Sequence, residues 1–147
     1  MPLAHWLFII AAFLPQQSPS PSAAAPTLDY EFFKERVQPI FLYKREGHAR
    51  CYVCHRGSGT GNSYVQVLSP GATAWDDAQS QKNFQSVKHF VIPGKPDASR
   101  LLRRPLKEEA GGDEFHGGGK HWTSKNDPEW QTLAAWVNGA TVNNATR

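Results

Sequence analysis

The sequence predicts a mostly α-helical domain in which a first and a last helix flank a loop-rich middle. Three observations carry this expectation. Apolar residues at positions 30, 33, 37, 40 and 41 follow the i, i+3, i+4, i+7 rhythm of one helical face. The stretch from Asp127 to Gly139 holds both a start and a stop signal for a helix. No segment shows the convincing apolar/polar alternation of a half-buried strand. The 147 residues suffice for one domain, and 12 Gly and 11 Pro suit a loop-rich fold without reaching the content of disordered chains.

The elements follow in order. None of the charged residues precedes Asp29, so the amino-terminal part is a separate object. Its run LAHWLFIIAAFL, Leu3 to Leu14, is too short for a membrane-spanning helix, which takes about 20 residues. It fits the apolar region of a secretory signal, with Ala23-Ala24-Ala25 supplying small residues for cleavage. A buried amino-terminal helix would instead have to end in a Pro/Ser/Ala tract that packs nothing. Residues 1–26 are therefore expected to be a signal peptide with a Pro/Ser/Ala-rich tail, 27–141 the domain, and 142–147 a short polar tail. If the tract survives processing, it can tether the domain to a membrane.

Asp29 to Tyr43 is expected to be an amphipathic helix with Asp29 as N-cap, bent or ended by Pro39. Gly57, Gly59 and Gly61 mark a loop after the cysteine segment. Asp76 to Phe90 forms a second helix with Phe84, Val87 and Phe90 turned inward, and Pro93-Gly94 breaks it. Asp97-Ala98-Ser99 opens a short helix through Leu101 and Leu102 that Pro105 stops. Residues Gly111 to Ser124 form a glycine-rich loop able to run close to a bulky group. In the last helix Asp127 caps, Pro128 takes the first position and Glu129 favours the positive dipole end. Trp130, Leu133, Ala134 and Val137 form its buried face, Trp136 flanks that face, and Gly139 ends the helix.

Chemistry concentrates at Cys51-Tyr52-Val53-Cys54-His55, a C-x-x-C-H motif and the attachment signature of c-type haem. Two thiols one helical turn apart reach the two porphyrin vinyl groups, and the next residue's imidazole is placed under the iron. Other readings compete. A redox dithiol would sit within a strand-helix-strand unit, and no strand is expected. A zinc site would need further ligands, and the chain has 2 Cys in all. The exportable leader, the heavy aromatic load of 5 Trp and 8 Phe, and the lack of other cysteines favour one covalent haem c with its iron.

Val37-Gln38-Pro39-Ile40, the C-x-x-C-H, Pro93-Gly94-Lys95-Pro96 through Ser99-Arg100-Leu101-Leu102, Gly111-Gly112, His116-Gly117-Gly118, and Trp136-Val137-Asn138-Gly139-Ala140 follow one another in that order. This ordered set resembles monohaem class I cytochrome c domains, and more narrowly the planctomycete-type cytochrome c domains of bacterial envelope proteins. The resemblance spans about residues 30 to 140. It implies a cytochrome c-like fold with first and last helices packed beside the haem, and a role in electron transfer. The chain departs from the class I pattern in having no methionine for the distal side, because its single Met is Met1.

Without methionine, the side chains that can complete the iron are His48, His89, His116, His121 and, less often, a lysine. His48 lies too close to Cys51 in sequence to reach the opposite face, and His89 follows an amphipathic run that leaves it partly exposed. His116 and His121 lie in the glycine-rich loop. The resemblance matches His116 to the histidine of the H-x-G-G loop, making His55 and His116 the expected iron ligands. A second imidazole in place of methionine stabilises Fe(III), so a low-potential, low-spin haem is expected. An open or displaceable distal position would instead give a haem enzyme or gas sensor, and absent haem a dithiol protein.

Charge is 16 Lys+Arg against 13 Asp+Glu, a balance that by itself points to no class of partner. Lys82, Lys88, Lys95, Arg100, Arg103, Arg104 and Lys107 face only Asp97, whereas residues 108–129 are predominantly acidic. The bland interpretation is a solvated bipolar surface. The sharper one has one or two arginines pairing with haem propionates, with the rest docking an acidic redox partner. Trp122 is expected to reach a propionate through its indole N–H. The basic stretch is too short for a nucleic-acid role in an exported chain. No nucleophile, carboxylate pair or second metal motif stands out, so the expected role is electron carriage in the periplasm or another extracytoplasmic space, not catalysis by this chain alone.

Overall fold

The computed structural model describes residues 24–57 and 63–144. The leader up to Ala23, Gly59 and Gly61 of the loop, and the last three residues of the polar tail lie outside the described residues. Among the described residues the fold is mostly helical and contains no strand, only isolated bridges at Arg56–Val65 and Leu106–Trp122.

The first helix starts where its cap predicts. Asp29 accepts the backbone N–H of Phe32 at 2.7 Å, and α1 (Tyr30–Phe32) follows. The helix then widens to a π turn over Phe33–Val37 and tightens to a 3-10 turn over Gln38–Leu42. Pro39 supplies the reason. It has no N–H to donate, and its ring would collide with the carbonyl four residues back in a regular α-helix. The change of pitch keeps Phe33, Val37, Ile40 and Phe41 on the buried side.

The last helix, α5 (Pro128–Val137), has the expected cap, with Asp127 accepting the N–H of Glu129 at 2.9 Å. Trp130, Leu133, Ala134 and Val137 are buried as expected. Trp136, at the flank of that face, is wholly buried as well. Its ring lies 5.3 Å from Phe33 and 6.1 Å from Phe84, and its indole N–H donates to the Asp29 carbonyl at 2.9 Å. Asp29 thus caps the first helix with its side chain and holds the last helix with its backbone. Pro26 seals the same end: a Cβ placed on Gly139, which has φ 87°, would lie 2.8 Å from the proline's Cβ.

The cysteine segment forms α2 (Cys51–His55), and α3 (Asp77–Val87) closes the opposite side of the core. Asp76 and Gln79 form a reciprocal capping box at the start of α3. Gln38, Ser80 and Asn83 are among the most buried residues and satisfy one another. Gln38 donates to Ser80 Oγ at 2.9 Å, Asn83 donates to Gln38 Oε1 at 3.0 Å, and the Gln66 N–H donates to Asn83 Oδ1 at 2.6 Å. This chain of amides joins the first helix, α3 and the segment following the cysteines. Beyond a 3-10 turn at Pro96–Ala98, α4 (Arg100–Arg103) buries Leu101 and Leu102.

The glycine-rich loop leaves and returns at one point. Lys107 N–H donates to Trp122 O at 2.9 Å, and Trp122 N–H donates to Pro105 O at 3.2 Å. Just inside this neck the Gly112 backbone presses on Leu106, whose carbonyl oxygen would lie 1.9 Å from any added Cβ. Only glycine fits there.

The helix clamp gives a stability prediction. Trp136→Ala should cost about 3–5 kcal/mol, as large aromatic truncations in sealed cores do. Trp136→Phe should cost about 0.5–1.5 kcal/mol, because the Asp29 carbonyl loses the indole donor and keeps the Phe33 N–H at 3.2 Å. Urea titration followed by circular dichroism checks both.

Candidate functional site

The backbone fixes the cysteine segment before any side chain acts. The His55 carbonyl accepts two N–H groups, from Tyr64 at 3.0 Å and Val65 at 3.1 Å, which folds the following segment back under α2. Tyr64 is thereby stacked on the His55 ring, with centroids 4.4 Å apart and planes inclined by 27°. Cys51 is half-buried, Cys54 is exposed, and both are free thiols. Burial pushes the Cys51 thiol above its ordinary range, against the opposing pull of the neighbouring Arg45 guanidinium.

The glycine-rich loop brings His116 across from His55. The two rings are 6.1 Å apart at their centroids and within 8° of parallel. Between them opens a cavity of about 270 Å³, at the low end of ligand-binding clefts. Its walls combine Cys54, His55, Tyr64, Phe90 and Leu101 with Arg100, Arg104, Pro105, Phe115 and His116. His116 Nδ1 lies 2.6 Å from the Gly119 carbonyl oxygen. A carbonyl can only accept, so Nδ1 carries a proton, and in the neutral ring the lone pair lies on Nε2. This is the arrangement by which backbone carbonyls orient metal-binding histidines.

The remaining histidines divide sharply. His121 faces a smaller cavity beside Cys51, Cys54, His55 and His116, with its ring 5.8 Å from that of His116. Its Nδ1 is buried and has no hydrogen-bond partner. Burial, reinforced by Arg45 and the other three histidines of the cluster, pushes its pKa down to about 4. His48 joins the cluster from behind, 5.0 Å from the His121 ring and close enough to Gly119 that a Cβ there would come within 3.2 Å. His89 is exposed on the 3-10 turn Lys88–Phe90 and does not line either cavity. Among the described residues no three His, Cys, Asp or Glu side chains converge on one point as a bare metal ion requires.

Several residues take positions that the sequence did not announce. The Trp122 indole, expected at a propionate, donates to Glu129 Oε2 at 3.0 Å. Its side chain is buried in the neck of the loop, where that carboxylate is the acceptor in reach. Glu129 also holds Arg45, whose Nε donates to the same oxygen at 2.6 Å. Arg45 in turn reaches the Ile40 carbonyl at 3.3 Å and approaches Cys51 Sγ at 3.8 Å. No motif marks Arg45 or Tyr64 in the sequence, because their roles depend on partners 84 residues away in one case and on a loop return in the other. The basic and acidic stretches partly pair with each other: Arg103 with Asp113 at 2.5 Å, and Lys125 with Asp97 at 2.9 Å.

Two predictions follow from this arrangement. Glu129→Ala strips the acceptor from Arg45 and from Trp122 together, and should destabilise the protein by roughly 2–4 kcal/mol in denaturant titrations, in the manner of a broken, largely buried ion pair. For His121, an unfolded chain takes up a proton near pH 6.5, whereas the folded chain resists until about pH 4. Stability should therefore fall as pH drops through that window, and His121→Gln should flatten this part of the profile in denaturant titrations at a series of pH values. Comparison with known proteins finds no matching family model, no matching curated protein and no matching solved structure.

Proposed function

We propose that the chain is an extracytoplasmic monohaem c-type cytochrome that carries electrons and is not an enzyme by itself. The observation that carries this reading is the opposition of His55 and His116 across a cavity edged by the C-x-x-C cysteines. Two metal–imidazole bonds of about 2 Å each, plus the ring radii, call for a centroid separation of roughly 6 Å. The 6.1 Å between these rings meets that requirement. An iron already held by four porphyrin nitrogens needs two opposed imidazoles and no third converging side chain.

Cys51 and Cys54 would hold the macrocycle through two thioethers, His55 and His116 its iron. Haem supplies a one-electron Fe(III)/Fe(II) couple, and a second imidazole in place of methionine biases it toward low potential. The residues of this chain prepare the place. Tyr64 fixes the orientation of His55, and Gly119 O fixes the tautomer of His116. Phe90, Leu101 and Pro105 offer apolar walls to the ring faces, while Arg100 and Arg104 offer guanidinium groups to its carboxylates. Phe115, 76% exposed at the mouth of the same cavity, gives an apolar centre to a basic docking face. An acidic-rimmed redox protein fits that face, steered by charge over a small contact area. The apolar leader is the basis for placing the protein in the periplasm or an equivalent compartment, and for membrane association should the leader be retained.

The test is the visible spectrum and intact mass of protein matured in a host able to attach haem. The expected result is the mass of one macrocycle on the leader-free chain, a low-spin spectrum in both oxidation states, and no ready binding of carbon monoxide. His55→Ala should keep the covalent attachment and lose the low-spin spectrum. Colourless protein with both thiols open to alkylation overturns the reading, and rapid carbon monoxide binding by the unaltered protein overturns its saturated-iron part.

A further inference from the structure

The glycine-rich loop presents two histidines to one place, and they are held very differently. His116 sits at the tip, followed directly by Gly117, Gly118 and Gly119, and its hydrogen bond to the Gly119 carbonyl is internal to that tip. His121 sits at the base, next to Trp122, which is 2% exposed and fixed by the Leu106 bridge and by Glu129. No side chain separates the two rings: a Cβ on Gly118 would lie 3.3 Å from His116 Cε1 and 3.8 Å from His121 Nε2. Both rings border the small cavity beside the cysteines and His55.

His121 also carries an unmet need. Its buried Nδ1 has no partner, and native proteins rarely leave such an atom unsatisfied without a functional reason.

We infer that His121 is a second distal ligand, held in reserve at the base of the loop, which takes the axial position opposite His55 whenever the His116 tip swings away. This rests on the haem reading above. With haem bound, this exchange would put one neutral imidazole in place of another, with no electron gained or lost. It makes the iron resistant to opening: displacement of the loop tip by a docking partner exchanges one imidazole for another and leaves no vacant coordination position.

The experiment compares the holoprotein with His116→Ala, His121→Ala and the double variant, reading spin state by absorption and electron paramagnetic resonance, and carbon monoxide binding in the reduced state. Both single variants should stay low-spin with a bis-imidazole resonance signature and bind the gas no more than the parent protein. The double variant should become high-spin and bind stoichiometrically. A high-spin, gas-binding His116→Ala protein overturns the inference while leaving the haem reading intact, as does a double variant that stays low-spin. A parent protein that carries no haem refutes the haem reading, and one that is itself high-spin refutes its saturated-iron part together with this inference; each is told apart from the results above. His116→Gln, which keeps a polar chain of similar reach at the loop tip, decides the same question if the alanine variant does not fold.

Discussion

The contact between the beginning of the first helix and the end of the last organises this molecule. Asp29 is used twice there, its carboxylate as N-cap and its carbonyl as acceptor for the buried Trp136 indole, while Phe33 and Phe84 pack on the same ring system. Toward the other end of α5, about 10 Å from Trp136 by helical rise, Glu129 accepts from Arg45 and Trp122. The last helix is therefore pinned at both termini by groups belonging to the amino-terminal third and to the glycine-rich loop. Remove either pin and the distance between α2 and that loop is no longer defined.

That distance is what the site consists of. His55 is placed by α2 and by the two N–H groups that close on its carbonyl, and His116 by a loop whose neck is held shut at Leu106–Trp122. Glycine serves two separate purposes in the loop. Gly112 lets the neck close against the Leu106 carbonyl, whereas Gly118 and Gly119 leave room for the His48, His116 and His121 rings. A loop with ordinary side chains at these positions could neither close nor bring imidazoles to within 6 Å of one another, which is the separation seen for His116 and His121 at 5.8 Å.

The charges near the cavity fall into two groups with different physical roles. Arg45, with a side chain 13% exposed, is a structural cation whose partner Glu129 and carbonyl contacts hold helix ends together. Arg100 and Arg104, one helical turn apart, stand at the cavity itself, while Asp113 pairs with both Arg103 and Arg104. Screening by salt acts on the exposed pairs and spares the enclosed Arg45–Glu129 pair.

Local chemistry made much of this legible from the chain alone. Asp29 and Asp127 before helical runs, Pro128 at a first helical position, Gly139 after a last one, and the 3.6-residue rhythm of the apolar side chains each act within one or two turns, so the mostly helical class, the start of α3 and the boundaries of α5 follow from the sequence, whereas α3 ends at Val87 and only a 3-10 turn continues to Phe90. The C-x-x-C-H motif is likewise a local pattern, and the candidate ring pair His55 and His116 was reachable through motif order. The π and 3-10 turns around Pro39 were not, because the way a helix absorbs a proline depends on which face must stay buried. Nor were Tyr64 against His55, Arg45 beneath Cys51, or the hydrogen bond that turned Trp122 to Glu129. Those contacts join residues distant in the chain, and only the closed tertiary structure brings such groups within the few ångströms over which hydrogen bonds and buried charges act.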